Sequence, residues 1–222
     1  MLLAIDTSTR TVGVALYDGI QVVGETAWTS RDYHTVELAP AVAELLARCR
    51  VDSAGLKVLA VATGPGSFTG LRIGLAFAKG LCLARHLPLI GIPSLEIVAA
   101  AQPKLGLPLA AVLQAGRGRL AVGWYHAHAG VWVPDGKAEL SDIHRLMHRI
   151  QQPTQVAGEL SEEEQRMLAR KYKNVHLASP AQALRRPAFL AELAWSRWQS
   201  GQVDDPASLS PIYLHIGAPI PG

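Results

Sequence analysis

Two stretches of the 222-residue chain hold residue types that could do chemistry. LAIDTST (3–9) ends an apolar run on the Asp6 carboxylate, followed at once by three hydroxyls. TGPGSFTGLRIG (63–74) sets four glycines around Ser67, Thr69 and Arg72. A glycine-rich turn that opens a helix can cradle a phosphate on backbone amides, and a nearby carboxylate can hold its cation. Both common phosphate templates fail, however. The Walker motif needs Lys-Ser/Thr after its last glycine, where Leu71-Arg72 stands, and the dinucleotide fingerprint needs glycine at position 69, which is Thr69. Pro65 also removes one amide donor. What survives is a residual nucleotide or anion contact at the helix N-terminus, with Asp6, Ser67, Thr69 and Arg72 as its candidates. Asp6 suits hydrogen bonding within its own turn equally well. His144 and His148, four apart, share a helix face, but Arg145 stands where a zinc protease needs Glu. The pair reads as a solvated face.

Those residues must be positioned by ordered elements. Apolar residues make up 49% and charged residues 18% of the chain, the balance of a globular protein, and no apolar run reaches membrane-spanning length. MLLAID lacks the pattern of a secretory signal, and Cys49 and Cys82 sit in apolar helical patterns as free thiols, which together imply the cytoplasm. Net charge is +3. The basic runs Arg185-Arg186 and 166–173 read as solvated helix faces.

Hydrophobic periodicity predicts strands at 2–6, 12–17 and 20–26, a helix over 34–50, a strand at 57–63, a helix over 71–86, a strand at 88–92 and a helix over 94–102. An offset of 108 then lays LAIDTSTRTVGVALY (3–17) over AVLQAGRGRLAVGWY (111–125), so a second β-meander opens the second half and Gln114 falls opposite Asp6. A helix over 141–151, a strand at 155–158, a helix capped by Ser161 and Glu164, a strand at 174–177, a helix over 187–200 and an extended tail at 210–215 complete the pattern.

The duplicated meander with AIDTST in its first turn resembles the actin, Hsp70 and sugar-kinase superfamily. That implies an α/β fold of two ribonuclease-H-like lobes, residues 1–104 and 105–222, each opening with a β-meander. LAIDTST, HTVELAP, GPGSFTGLRIGLAFAKGL, PLIGIPSLE and the terminal PIYL together are similar to the bacterial TsaB (YeaZ) family, which works in making the threonylcarbamoyladenosine beside the anticodon of tRNAs. The resemblance implies a non-catalytic partner of the paralogue TsaD, joined by the ATPase TsaE, homodimeric when alone and related to tRNA only indirectly. TsaD holds its metal through an H-x-x-x-H that aligns with Ser94 and Val98, neither an imidazole, so no metal, cofactor or catalytic residue is expected here. A nucleotide-dependent enzyme using Asp6 with Ser67 and Thr69, and a metallopeptidase, are the alternatives.

Gly70, Gly74, Ala78 and Cys82 recur every four residues, a column of small side chains that permits close helix approach. The residues leave open whether the chain's own sheet, its 34–50 helix or another protein fills it. The resemblance implies that the two helices pair with TsaD, through Leu38, Val42, Leu45, Gly70, Leu71, Gly74, Leu75 and Ala78. On that reading Gly74→Leu leaves the fold intact and abolishes partner binding.

Overall fold

The computed structural model describes residues 1–30, 34–171 and 173–214. LLAID forms β1 (Leu2–Asp6), buried along its whole length because both faces of its sheet are covered. It pairs antiparallel with β2 (Thr11–Tyr17), which pairs with the edge strand β3 (Val22–Thr29). On its other side β1 runs parallel to β4 (Val58–Gly64), and β4 to β5 (Leu89–Pro93). The order is β3-β2-β1-β4-β5. One face is covered by α1 (His34–Arg48) and α2 (Phe68–Arg85), which set Leu38, Val42, Leu45, Leu75, Ala78 and Cys82 against Leu3, Ile5, Val12, Val14 and Leu16. Burial there pushes the Cys82 thiol up to about 11, as suits an inert free cysteine.

The second sheet repeats the design. It has the order β11-β10-β6-β7-β8, formed by β6 (Leu109–Gln114), β7 (Leu120–His128), β8 (Val131–Pro134), β10 (Thr154–Gly158) and β11 (Val175–Leu177), while β9 (Glu139–Ser141) pairs with β7. Its outer face is covered by α4 (Ile143–Arg149) and α5 (Glu162–Ala169), through Leu146 and Leu168. Ser161 and Glu164 form the capping box expected at the start of α5. His144 and His148 are exposed on α4, as expected.

The inner faces are covered crosswise. α3 (Ser94–Ala100), which follows the first sheet, sends Leu95, Val98 and Ala99 into the second sheet's core and only Ile97 into the first. α7 (Pro187–Gln199) follows the second sheet but packs Leu190, Ala191 and Ala194 onto Leu2, Ala4, Ala15 and Val58 of the first. Arg197 of α7 pairs with Glu96 of α3 at 2.8 Å. The division at 104/105 therefore separates the two sheets but not their helices. The inner face of sheet one is apolar and α7 supplies its cover. The tail follows α7 back to the first lobe, where the Ile212 amide donates to the Thr63 carbonyl at 2.7 Å. Of the tail expected at 210–215, His215 lies outside the described residues.

The small-residue column of α2 faces inward. Leu38, Val42, Leu45, Gly70, Leu71, Gly74, Leu75 and Ala78, assigned above to a partner surface, are all buried in the chain's own first lobe. The reason is the turn after β1. A Cβ on Gly70 would lie 2.3 Å from the Thr7 carbonyl oxygen, and one on Gly74 2.2 Å from Thr7 Oγ1. Thr7 Oγ1 itself donates to the Gly70 carbonyl at 2.7 Å. The two glycines admit the hairpin turn, and Gly74→Leu would break the fold rather than spare it. Gly80, on the opposite side of α2, has open space around it. The same change at these two glycines should act with opposite sign. Gly74→Ala should cost about 1–3 kcal/mol through overpacking, and Gly80→Ala should add up to about 1 kcal/mol through helix propensity. Urea denaturation midpoints of the two variants test this.

Candidate functional site

The chemistry-bearing residues meet in the cleft between the lobes. β1 ends on Asp6, which is 1% exposed and points to the inner face. Its Oδ1 accepts from the Ser8 amide at 2.9 Å, the local turn bond expected for it. Its main partner lies far away in sequence. Arg185, in the connection between α6 (Pro180–Ala183) and α7, is 2% exposed and donates from Nε to Asp6 Oδ2 at 2.5 Å. The same guanidinium reaches Glu159 Oε1 at 2.8 Å, Thr9 Oγ1 at 2.9 Å and the Thr11 carbonyl at 3.2 Å. Glu159 follows β10 and is therefore the second lobe's carboxylate; it also accepts from Thr9 Oγ1 at 2.5 Å. Burial disfavours the guanidinium charge, but Asp6 and Glu159 outweigh it and hold the Arg185 pKa above the ordinary arginine range. A permanent cation thus stands between two carboxylates, one from each lobe.

Gln114 does not face Asp6, contrary to the offset of 108. Asp6 pairs with Gly13 across a six-residue turn (7–12), and Gln114 with Leu120 across a five-residue turn (115–119). One missing residue in a pattern of period two turns the side chain to the opposite face. Gln114 accordingly points outward and donates to Glu164 Oε2 of α5 at 2.7 Å. The inner positions beside it are Leu113 and Ala115, which have no side-chain ligand atoms.

The glycine-rich loop is clasped from both sides. The Ser67 amide donates to the Ser8 carbonyl at 2.6 Å, and a Cβ on Gly66 would lie 2.1 Å from that oxygen. Ser67 Oγ caps α2 by accepting from the Gly70 amide at 3.2 Å. Two of the amides a phosphate would use are therefore engaged. Arg72 donates to the Tyr213 hydroxyl at 3.1 Å and stacks over the Phe68 ring at 3.6 Å. Thr69 is exposed. Ser67, Thr69 and Arg72 thus cluster at the head of α2, while Asp6 is committed to Arg185. Ser94, at a metal-histidine position of the resemblance, is fully buried, shares a 2.6 Å hydrogen bond with Ser8 and accepts from the Gly64 amide at 3.1 Å. Val98 belongs to the second sheet's core. Among the described residues no three His, Cys, Asp or Glu side chains converge as a metal site.

Arg185 and Glu159 escaped the sequence reading. Arg185-Arg186 looked like a solvated basic pair, and only Arg186 is one, with its partner Glu25 at 2.5 Å.

The family model of TsaD, tRNA N6-adenosine threonylcarbamoyltransferase, matches residues 22–186. The tRNA threonylcarbamoyladenosine biosynthesis protein TsaB of Bacillus subtilis is 34% identical over 160 residues, 71% of this chain and 70% of that one. The Escherichia coli protein of the same name is 39% identical over 98 residues, a match that spans 44% of this chain and 42% of the relative. YeaZ from Pseudomonas aeruginosa has the same fold, with a TM-score of 0.80 at 24% identity over 96% of this chain and 99% of that one.

The cleft network carries its own test. A buried ion pair broken on one side costs about 3–5 kcal/mol, because the surviving charge is left uncompensated. Arg185→Ala and Asp6→Ala should each lose stability on that scale, and the double variant should lose clearly less than the sum. A thermodynamic cycle from urea unfolding measures the coupling, and additive losses would show that the two groups act separately.

Proposed function

This chain belongs to the TsaB family of tRNA threonylcarbamoyladenosine biosynthesis proteins, and from that premise we propose that it acts as a non-catalytic partner of TsaD. The observation that carries this reading is Arg185. In a nucleotide enzyme of this architecture the carboxylate that ends β1 must be free to face a cation, and here a guanidinium of the chain itself occupies that place. Leu113, Ala115, Ser94 and Val98 add no ligand at the neighbouring positions, which counts against the nucleotide-dependent enzyme and the metallopeptidase alike. The chain would work in the cytoplasm, bind TsaD as a heterodimer, join TsaE in a larger assembly and pair with itself when TsaD is absent. The assembled complex would transfer threonylcarbamoyl to the adenosine beside the anticodon of tRNA.

The docking surface belongs on the outward sides of the same two helices. Ala39, Ala43 and Ala47 on α1, and Ala76, Gly80 and Ala84 on α2, recur every four residues and are exposed. Val36 and Leu83, 65% and 71% exposed, add larger apolar groups nearby. Small outward residues allow a partner helix to approach to the short end of the usual 8–10 Å axis separation. Ala43→Arg/Gly80→Arg should keep the unfolding midpoint and lose co-elution with TsaD in size-exclusion chromatography, together with threonylcarbamoyladenosine formation by the reconstituted complex. Undiminished co-elution of a folded double variant would overturn the docking surface.

A further inference from the structure

We propose that the corner of the second lobe where α4, α5 and β11 meet binds the phosphate backbone of tRNA directly. Segments 143–158 and 165–184 hold six lysines and arginines and three histidines and no carboxylate at all. The whole chain is +3, so the remainder, with fifteen such cations against eighteen carboxylates, is net negative at −3. The positive charge of this protein is therefore concentrated in two short segments.

The fold brings these segments together. Lys171, just past α5, donates its Nζ to the Met147 and Ile150 carbonyls at the end of α4. The Thr154 amide of β10 donates to the Asn174 carbonyl at 2.9 Å, and β10 then pairs with β11, the edge strand that carries His176. Arg145, His148 and Arg149 of α4 are exposed, as are Arg170 and His176, and Arg149 lies over the Trp124 ring of β7 at 4.6 Å. Arg170, Lys171, Lys173 and Asn174 line a hollow of about 190 Å³, and three cations with an amide are the donor set that phosphate oxygens take.

Part of this charge answers the helix C-termini, whose carbonyls favour cations. Arg145, Arg149 and Arg166 also pair with Asp142, Glu139 and Glu162. Those pairs are exposed, worth under about 1 kcal/mol each and screened by salt, so a phosphate can compete for the same guanidinium groups. Arg170 is exposed and makes no ion pair among the described residues. The cations gathered around Arg170, Lys171 and Lys173 fit a polyanion, and the choice of tRNA among polyanions rests on the function proposed above.

The test titrates a fluorescein-labelled tRNA transcript with the purified chain, followed by anisotropy between 50 and 200 mM salt. Arg145→Glu/Arg170→Glu should weaken binding at least tenfold and reduce the slope of log affinity against log salt by about 2, the value for two lost phosphate contacts. The control Lys57→Glu/Arg85→Glu carries the same charge change on the first lobe and should stay within twofold of the parent. Equal affinities of the parent and the Arg145/Arg170 variant would overturn the proposal. So would equal weakening by the control, which would mean diffuse net-charge attraction, and so would displacement of tRNA by poly-glutamate at matched charge, which would mean an acidic protein as occupant. Co-elution with TsaD, measured on the same preparations, fails independently if the partnership is wrong.

Discussion

A single buried guanidinium determines what this cleft can be. Arg185 is buried, so its charge is held in place by Asp6 and Glu159, which stand beside it and offset the cost of taking a guanidinium out of water. The three charges come from the end of β1, the residue after β10 and the approach to α7. Thr9 closes the arrangement by donating to Glu159 and accepting from Arg185. The Asp6 carboxylate that ends β1 is thus committed to a guanidinium of the chain itself.

The crosswise helices give this network its rigid frame. α3 lies between the two sheets with apolar contacts to both, and α7 spans back to cover the sheet from which α3 departed. Parting the lobes would strip apolar surface from α3 as well as breaking the ion network. The hairpin turn after β1 is fixed in the same way: Thr7 docks between two glycines of α2, Ser8 bonds to the loop at Ser67, and Ser94 ties both to the end of β4. The glycine-rich run is a socket for the chain's own turn.

The fold was legible in the sequence because its signals are local: apolar runs for the sheets, the Ser161 capping box, and a repeated meander. The site was not, for three different reasons. Arg185 lies 179 residues from Asp6, and nothing in an Arg-Arg pair says which member turns inward. Gln114 was misplaced because an ungapped repeat cannot register one residue missing from a turn, and in strands that slip reverses the face. On α2 there are two small-residue columns, 70-74-78-82 and 76-80-84, and periodicity is equally satisfied with either one turned to the sheet. The arbiter was Thr7, whose side chain needs the room that Gly74 leaves.

The return of α7 to the first sheet also has a consequence in time. During synthesis from the N-terminus, β1 to β5 are complete by residue 93, but the helix that covers their inner face begins at residue 187. At ribosomal rates of about 5–20 residues per second, that apolar face stays uncovered for roughly 5–20 s. Leu2, Ala4, Val58, Ile90 and Ile92 are then the surface a chaperone would meet on the nascent chain. The first half of this protein is finished last.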